Sequence, residues 1–330
     1  MVSLPALATQ RKLVIHPHPN AAGTRPRFAR LRHTLRRPLG LLLLVFAASA
    51  AAAAPTQDEL AALYARSVDK RLQVPADEAR QYGALALQML QAANIALDRP
   101  QYLLLVDRSP RVQAALLFWL APPTTAQLIG ASPVSTGRVG EYDHFETPTG
   151  VFDHTTLNLD FRAEGTYNDK GIRGFGVQGM RVFDFGWQPA RRGWGTGGVS
   201  PMRLLLHATD PEQLEQRLGS VQSKGCVRIP ATLNRLLDQY GVLDADYNDA
   251  LTEGRRLWVL SPQRVPVTDA GRYLVIVETE RPARPAWSPH PLRAAPKQRP
   301  APAVQGNSTA APSMAPARNA ATAALACANG

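Results

Sequence analysis

The sequence predicts a mainly β domain with one packed helix, preceded by a short helical segment. From Tyr102 onward, short apolar runs recur between Gly and Pro residues: "YLLLV", "AALLFWL", "AQLIGAS", "GVFDH", "RLLLH", "RLWVL" and "RYLVIV". Runs of that length, bounded by turn formers, suit strands of a mostly antiparallel sheet. One later stretch breaks the pattern. Leu233, Leu236, Leu237 and Tyr240 fall on one helical face, and Gly241 supplies the stop. Ahead of the strands, Leu60, Leu63, Tyr64 and Val68 are spaced for a helix. Tyr82, Leu85 and Met89 repeat that spacing after Pro75 and the acidic pair Asp77–Glu78. These two helices carry no chemistry of their own and read as a packing or spacer hairpin.

Charge divides the 330 residues further. The chain holds 37 Lys and Arg against 26 Asp and Glu, a formal +11. Eight of the basic residues precede residue 39 and six follow residue 280, with no acid in either flank. The body between them is slightly acidic, so a nucleic-acid-binding core is excluded as a reading. The front flank reads as an export signal: basic "RFARLRHTLRRPLG", apolar "LLLLVFAASAAAAA", then small residues before Pro55. The apolar stretch is short for a membrane span, so the membrane enters only through a retained N-terminal anchor. The rear flank is Pro/Ala-rich and acid-free, the composition of a disordered basic tail. The expected organisation is therefore 1–54 signal peptide or anchor, 55–100 helical segment, 101–280 catalytic domain and 281–330 tail. The expected location is the periplasm or cell envelope.

Export gives the two cysteines, Cys226 and Cys327, a default pairing in an oxidising compartment. Cys226 is otherwise a buried small hydrophobe, a metal ligand or a nucleophile. The strand "RLLL" delivers His207, and "SKGC" delivers Cys226 nineteen residues later. A cysteine becomes a nucleophile when a neighbouring base takes its proton, and histidine is the usual partner. Gly225 removes a side chain beside the cysteine and leaves the Gly225 and Cys226 amides to face an oxyanion. A helix opening near Ala231 or Thr232 brings its positive end toward the thiolate. Arg228 and Lys224 add cations suited to a substrate carboxylate. One cysteine and one histidine do not make a zinc site, and no metal or cofactor is expected. His144 and His154 read as surface histidines, Trp187 and Trp194 as core, Asp210 as a cap after His207, and "RRGWGTGG" as a flexible loop.

"HATDPEQLEQRLGSVQSKGCVRIP" resembles the signature of the L,D-transpeptidase catalytic domain: a histidine, some fifteen residues, then Ser-His-Gly-Cys, an apolar residue and Arg or Asn. Upstream, "ASPVSTGRVGEYDHFETPTGVF" is similar to that family's other landmark, a V-S-T-G-like turn followed by T-P-x-G-x-F. The resemblance spans roughly residues 101–262. It implies a β-sandwich-like catalytic domain with one helix packed beside the active site. It also implies acyl transfer on peptidoglycan stem peptides, with an amine of another stem as acceptor. By position it makes Cys226 the nucleophile, His207 the base, Ser223 and Gly225 the residues shaping the site, and Arg228 a substrate-positioning residue. Thr147, Pro148 and Gly150 correspond to a structural turn. Lys224 departs from the pattern, standing where the family has a second histidine. Three outcomes stay open on this reading: transpeptidation, hydrolysis as an L,D-carboxypeptidase or other cysteine wall hydrolase, and wall binding without catalysis.

Overall fold

The computed structural model describes residues 53–289 and Pro291. The export signal, apart from its last two residues, and the tail beyond Pro291 lie outside the described residues. Helices α1 (Gln57–Ser67) and α2 (Ala76–Ala92) come first, followed by strands β1 (Gln101–Asp107), β2 (Ala114–Ala121), β3 (Thr125–Pro133), β4 (Gly150–Asp153) and β5 (Phe161–Arg162). Long strands β6 (Arg181–Arg191) and β7 (Val199–Ala208) form the centre of the second half. Then come the short strand β8 (Val227–Ile229), helices α3 (Ala231–Gln239) and α4 (Ala245–Thr252), and strand β9 (Tyr273–Val277). The fold is mixed α/β, with more strand than helix, in two open sheets ordered β3-β2-β1-β9-β4 and β5-β6-β7-β8.

Alternation along the strands separates two cores. Tyr102, Leu104 and Val106 of β1 face a cluster with Leu274 and Ile276 of β9, Phe183 and Phe185 of β6, and Leu204 and Leu206 of β7. Leu103 and Leu105 point the other way, toward Tyr82, Ala86 and Leu90 of α2. Both faces of β1 are covered, which is why "QYLLLVD" is buried at every position. The front helices are thus no detached spacer. Leu60, Tyr64 and Val68 belong to the inter-sheet core, and α2 roofs the outer face of the five-stranded sheet. Each large side chain so buried contributes about 1.5–3 kcal/mol.

Two expectations are corrected. "RLWVL" forms a turn, not a strand; Trp258 is largely exposed, and the stretch follows α4 directly. His154 is not on the surface: it is fully buried, stacks on Tyr247 with ring centroids 4.9 Å apart, and its Nε2 lies 2.9 Å from Asp160. The same carboxylate receives Arg181 Nε at 2.6 Å, while Arg181 Nη1 donates to Asp244 at 2.8 Å. This sealed charge cluster ties β6 to the loops around α3 and α4. The pairing is mostly antiparallel, as the texture predicts, with two parallel exceptions, β1 with β9 and β7 with β8.

Candidate active site

Strands β7 and β8 lie side by side in parallel, with His207 registered against Arg228. Met202, Leu204 and Leu206 of β7 and Val227 and Ile229 of β8 fill the inter-sheet core. The intervening residues therefore face the opposite side of the sheet. On that side Cys226 packs with Leu205 and Val182, and Phe161 and Phe175 close over them. Phe175 also meets the His207 ring edge-on, with centroids 4.9 Å apart. One aromatic thus covers the surroundings of both sequence candidates. His207 and Cys226 are each 0% exposed.

His207 Nδ1 lies 2.7 Å from the Ala208 carbonyl, which fixes Nδ1 as the protonated nitrogen. Nε2 is left with its lone pair and has no hydrogen-bond partner among the described residues. Burial, and secondarily the charge of Arg228, push the imidazole down to about 3, against the opposing hydrogen bond to Ala208. It is a neutral imidazole at every ordinary pH. Cys226 stands in a disulfide, with its Sγ 3.8 Å from the Arg203 carbonyl. The chain's other cysteine, Cys327, lies outside the described residues.

The turn before Cys226 is held by one hydroxyl from each landmark. Ser223 Oγ donates to the Cys226 carbonyl at 2.6 Å and accepts the Gly225 N–H at 3.1 Å. Thr147 Oγ1 donates to the Gly225 carbonyl at 2.6 Å and accepts the Gly137 N–H at 2.8 Å. Three segments that are distant in sequence cross here, and the crossing leaves no room for side chains. A Cβ on Gly137 would sit 2.0 Å from the Phe145 carbonyl; one on Gly225, at φ +131°, would sit 2.2 Å from Met202 Sδ. Both glycines are steric requirements of the crossing.

Three electrostatic expectations look different in the folded chain. The Gly225 amide is already bonded to Ser223 Oγ and is not open to an oxyanion in this state. The first turn of α3 is capped by Glu215, whose Oε1 accepts the Ala231 N–H at 2.6 Å, so its positive end is spent on a carboxylate. Lys224 Nζ pairs with Asp143 at 3.5 Å. Local sequence carries no sign of the Glu215 cap, because it acts across sixteen residues. Asp210 behaves as expected, its Oδ1 accepting the Glu212 and Gln213 amides. His144 is buried rather than superficial, with Nδ1 3.0 Å from the Tyr142 carbonyl. Trp194 packs edge-on to Phe145, whereas Trp187 is 47% exposed and is not core.

Beside this buried pair opens a cleft of about 560 Å3. Arg228 and Lys224 reach it, and so do Arg138, Lys170 and Arg217, opposed by the single acid Glu141. Neither His207 nor Cys226 lines it. The segment of residues 161–176 that covers the pair has a cavity of its own, sharing Lys170 and Ile172 with the basic cleft. Among the described residues, no three His, Cys, Asp or Glu side chains are grouped to hold a metal ion. Nor is any described helix long and apolar enough to cross a membrane.

No family model matches this sequence, and no curated protein does. Solved structures that resemble it include a point mutant of the helical cell shape determining protein Pgp2 from Campylobacter jejuni. The likeness has 11% sequence identity and a TM-score of 0.27, over 68% of this chain and 56% of that one. This chain therefore spans just over half of that protein's length.

Proposed function

We propose that this chain is an L,D-transpeptidase-like enzyme of the cell envelope that cleaves peptidoglycan stem peptides through a Cys226 thioester, with water as the principal acceptor. One observation carries the reading: Thr147 joins Gly137 to Gly225, so the two sequence landmarks meet in one crossing directly before Cys226. The two packed sheets, with α3 following Cys226 directly, support the expected β-sandwich-like catalytic architecture. Release of Cys226 from its disulfide by a dithiol comes first, leaving a thiol. His207 Nε2 then takes the thiol proton, and the thiolate attacks the carbonyl carbon preceding the terminal D-residue. That peptide bond breaks, His207 returns the proton to the leaving amine, and the acyl group stays on sulfur. Oxyanion stabilisation draws on the Gly225 N–H in exchange for its bond to Ser223 Oγ. Water, losing a proton to His207, attacks the thioester and restores the thiol.

Water is favoured over an amine acceptor by charge. The cleft presents five cations against one acid, which repels an approaching ammonium group. Cross-linking by an acceptor stem is the second outcome, and wall binding without catalysis the third. Purified protein, reduced with a dithiol and incubated with tetrapeptide muropeptides, is expected to release the terminal D-residue and leave tripeptides, as read by mass spectrometry. Cross-linked dimers would replace hydrolysis by transpeptidation. Intact muropeptides, together with no carbapenem adduct on Cys226, would refute the enzyme reading.

A further inference from the structure

Two groups on the cleft wall lie outside the bonds that hold the fold together. Thr209 follows β7, two residues beyond His207, and is 1% exposed. Its Oγ1 is buried and has no hydrogen-bond partner among the described residues. A buried hydroxyl left unpaired costs about 1–3 kcal/mol, so its retention points to a ligand that completes it. Arg217 ends the 3-10 turn Glu215–Arg217 on the opposite lip and forms no ion pair among the described residues. A third group, Arg228, is 2% exposed, lines the same cleft and is registered against His207. Arg138 and Lys224, by contrast, already pair with Glu141 and Asp143.

The two guanidiniums act on each other. Burial, and then the like charge of Arg217, bring the Arg228 guanidinium down to about 10. An anion between them relieves both costs, and a carboxylate suits the planar forks of two arginines and the single O–H of a threonine. Position selects which carboxylate. Consecutive Cα atoms lie about 3.8 Å apart, so the carboxylate of a leaving terminal residue sits one residue beyond the bond being cut. Arg228 stands one strand away from the base that would protonate that leaving amine.

We infer that Thr209 and Arg217, together with Arg228, form a subsite for the C-terminal carboxylate of the donor stem, making the enzyme an exopeptidase that reads a free chain end. This rests on the function proposed above, and its test is separable from it because it measures binding alone. The full-length protein is titrated calorimetrically with a stem tetrapeptide bearing a free C-terminus and with the same peptide as its C-terminal carboxamide. Wild type is expected to bind the acid at least about tenfold more tightly than the amide, as the loss of one charge-assisted contact implies. Arg217→Gln and Thr209→Val should each bring that preference to within about threefold. Thr209→Val also removes an unpaired hydroxyl, so its urea midpoint should equal or exceed that of wild type, which separates lost recognition from lost folding. Equal binding of acid and amide by wild type, no binding of either, or a preference that survives both substitutions would overturn the subsite. A preserved preference without turnover would leave the subsite standing and count against the catalytic reading alone.

Discussion

Replacing His207 by Gln removes a titrating group from a fully buried site, and the structure fixes how stability should then respond to pH. In the folded chain the imidazole is pushed down to about 3 by burial and Arg228, whereas the unfolded chain binds its proton near the ordinary 6.5. Between those values the unfolded state holds more protons, so stability rises with pH across the window and is lost as pH falls through it. At pH 4.5, two units below the unfolded value, the loss is on the order of 3 kcal/mol at 1.36 kcal/mol per unit. His154 does not confuse the measurement. Burial pulls its pKa down, but the charge and hydrogen bond of Asp160 outweigh that and leave it raised. Its contribution is complete below 6.5 and is lost only as pH rises through its folded value. Asp160, opposed by burial but held at about 2 by His154 and Arg181, weakens only below the usual carboxylate range. Urea unfolding of wild type and His207→Gln at pH 7.5 and 4.5 provides the assay. The wild type should lose on the order of 3 kcal/mol more than the variant on acidification. Parallel losses in the two proteins would refute a buried neutral His207, and with it the assignment of Nε2 as a ready proton acceptor.

Two further perturbations probe the scaffold. Gly225→Ala places a methyl group 2.2 Å from Met202 Sδ at a φ of +131°, and should cost about 2–4 kcal/mol in urea unfolding and slow carbapenem acylation of reduced Cys226. A variant as stable and as reactive as wild type would mean that the crossing is looser than described. Arg181→Met keeps the length of the side chain but leaves Asp160 and Asp244 buried without their shared cation, so about 3–5 kcal/mol should be lost. A loss below about 1 kcal/mol would show that the two carboxylates find protons or water instead.

Strand positions were the most legible part of the fold, because runs such as "YLLLV" and "RYLVIV" announce β1 and β9 wherever they pair. The helical spacing of Leu233, Leu236 and Leu237 likewise marked α3. What stayed hidden was anything decided by partners far along the chain. "RLWVL" has the composition of a strand, yet no sheet edge receives it, and Trp258 faces solvent. The run containing Arg181 and Asp184 looks too charged for a central strand, but β6 buries Arg181 against Asp160 and Asp244. At the candidate site, the residue types around Cys226 and His207 could be read from spacing and resemblance. The electrostatics could not. Glu215 caps α3 from sixteen residues upstream, and Asp143 engages Lys224 from eighty-one residues away. The unpaired hydroxyl of Thr209 becomes visible only once its surroundings are known.

The position of β9 has a consequence for how the protein comes into being. It is the last strand in the chain, yet it lies inside its sheet, between β1 and β4. Leu103 pairs with Tyr273, and Leu105 with Val275. A chain emerging N-terminus first therefore holds a gap in the middle of its larger sheet until residue 277 arrives. Contacts spanning such separations form late, because the intervening loop must be closed before they reward it. Until then β1 has one bare edge, and the inter-sheet core lacks Leu274 and Ile276. Chains cut short before this strand have no alternative route to the native arrangement, so a half-made copy is inert.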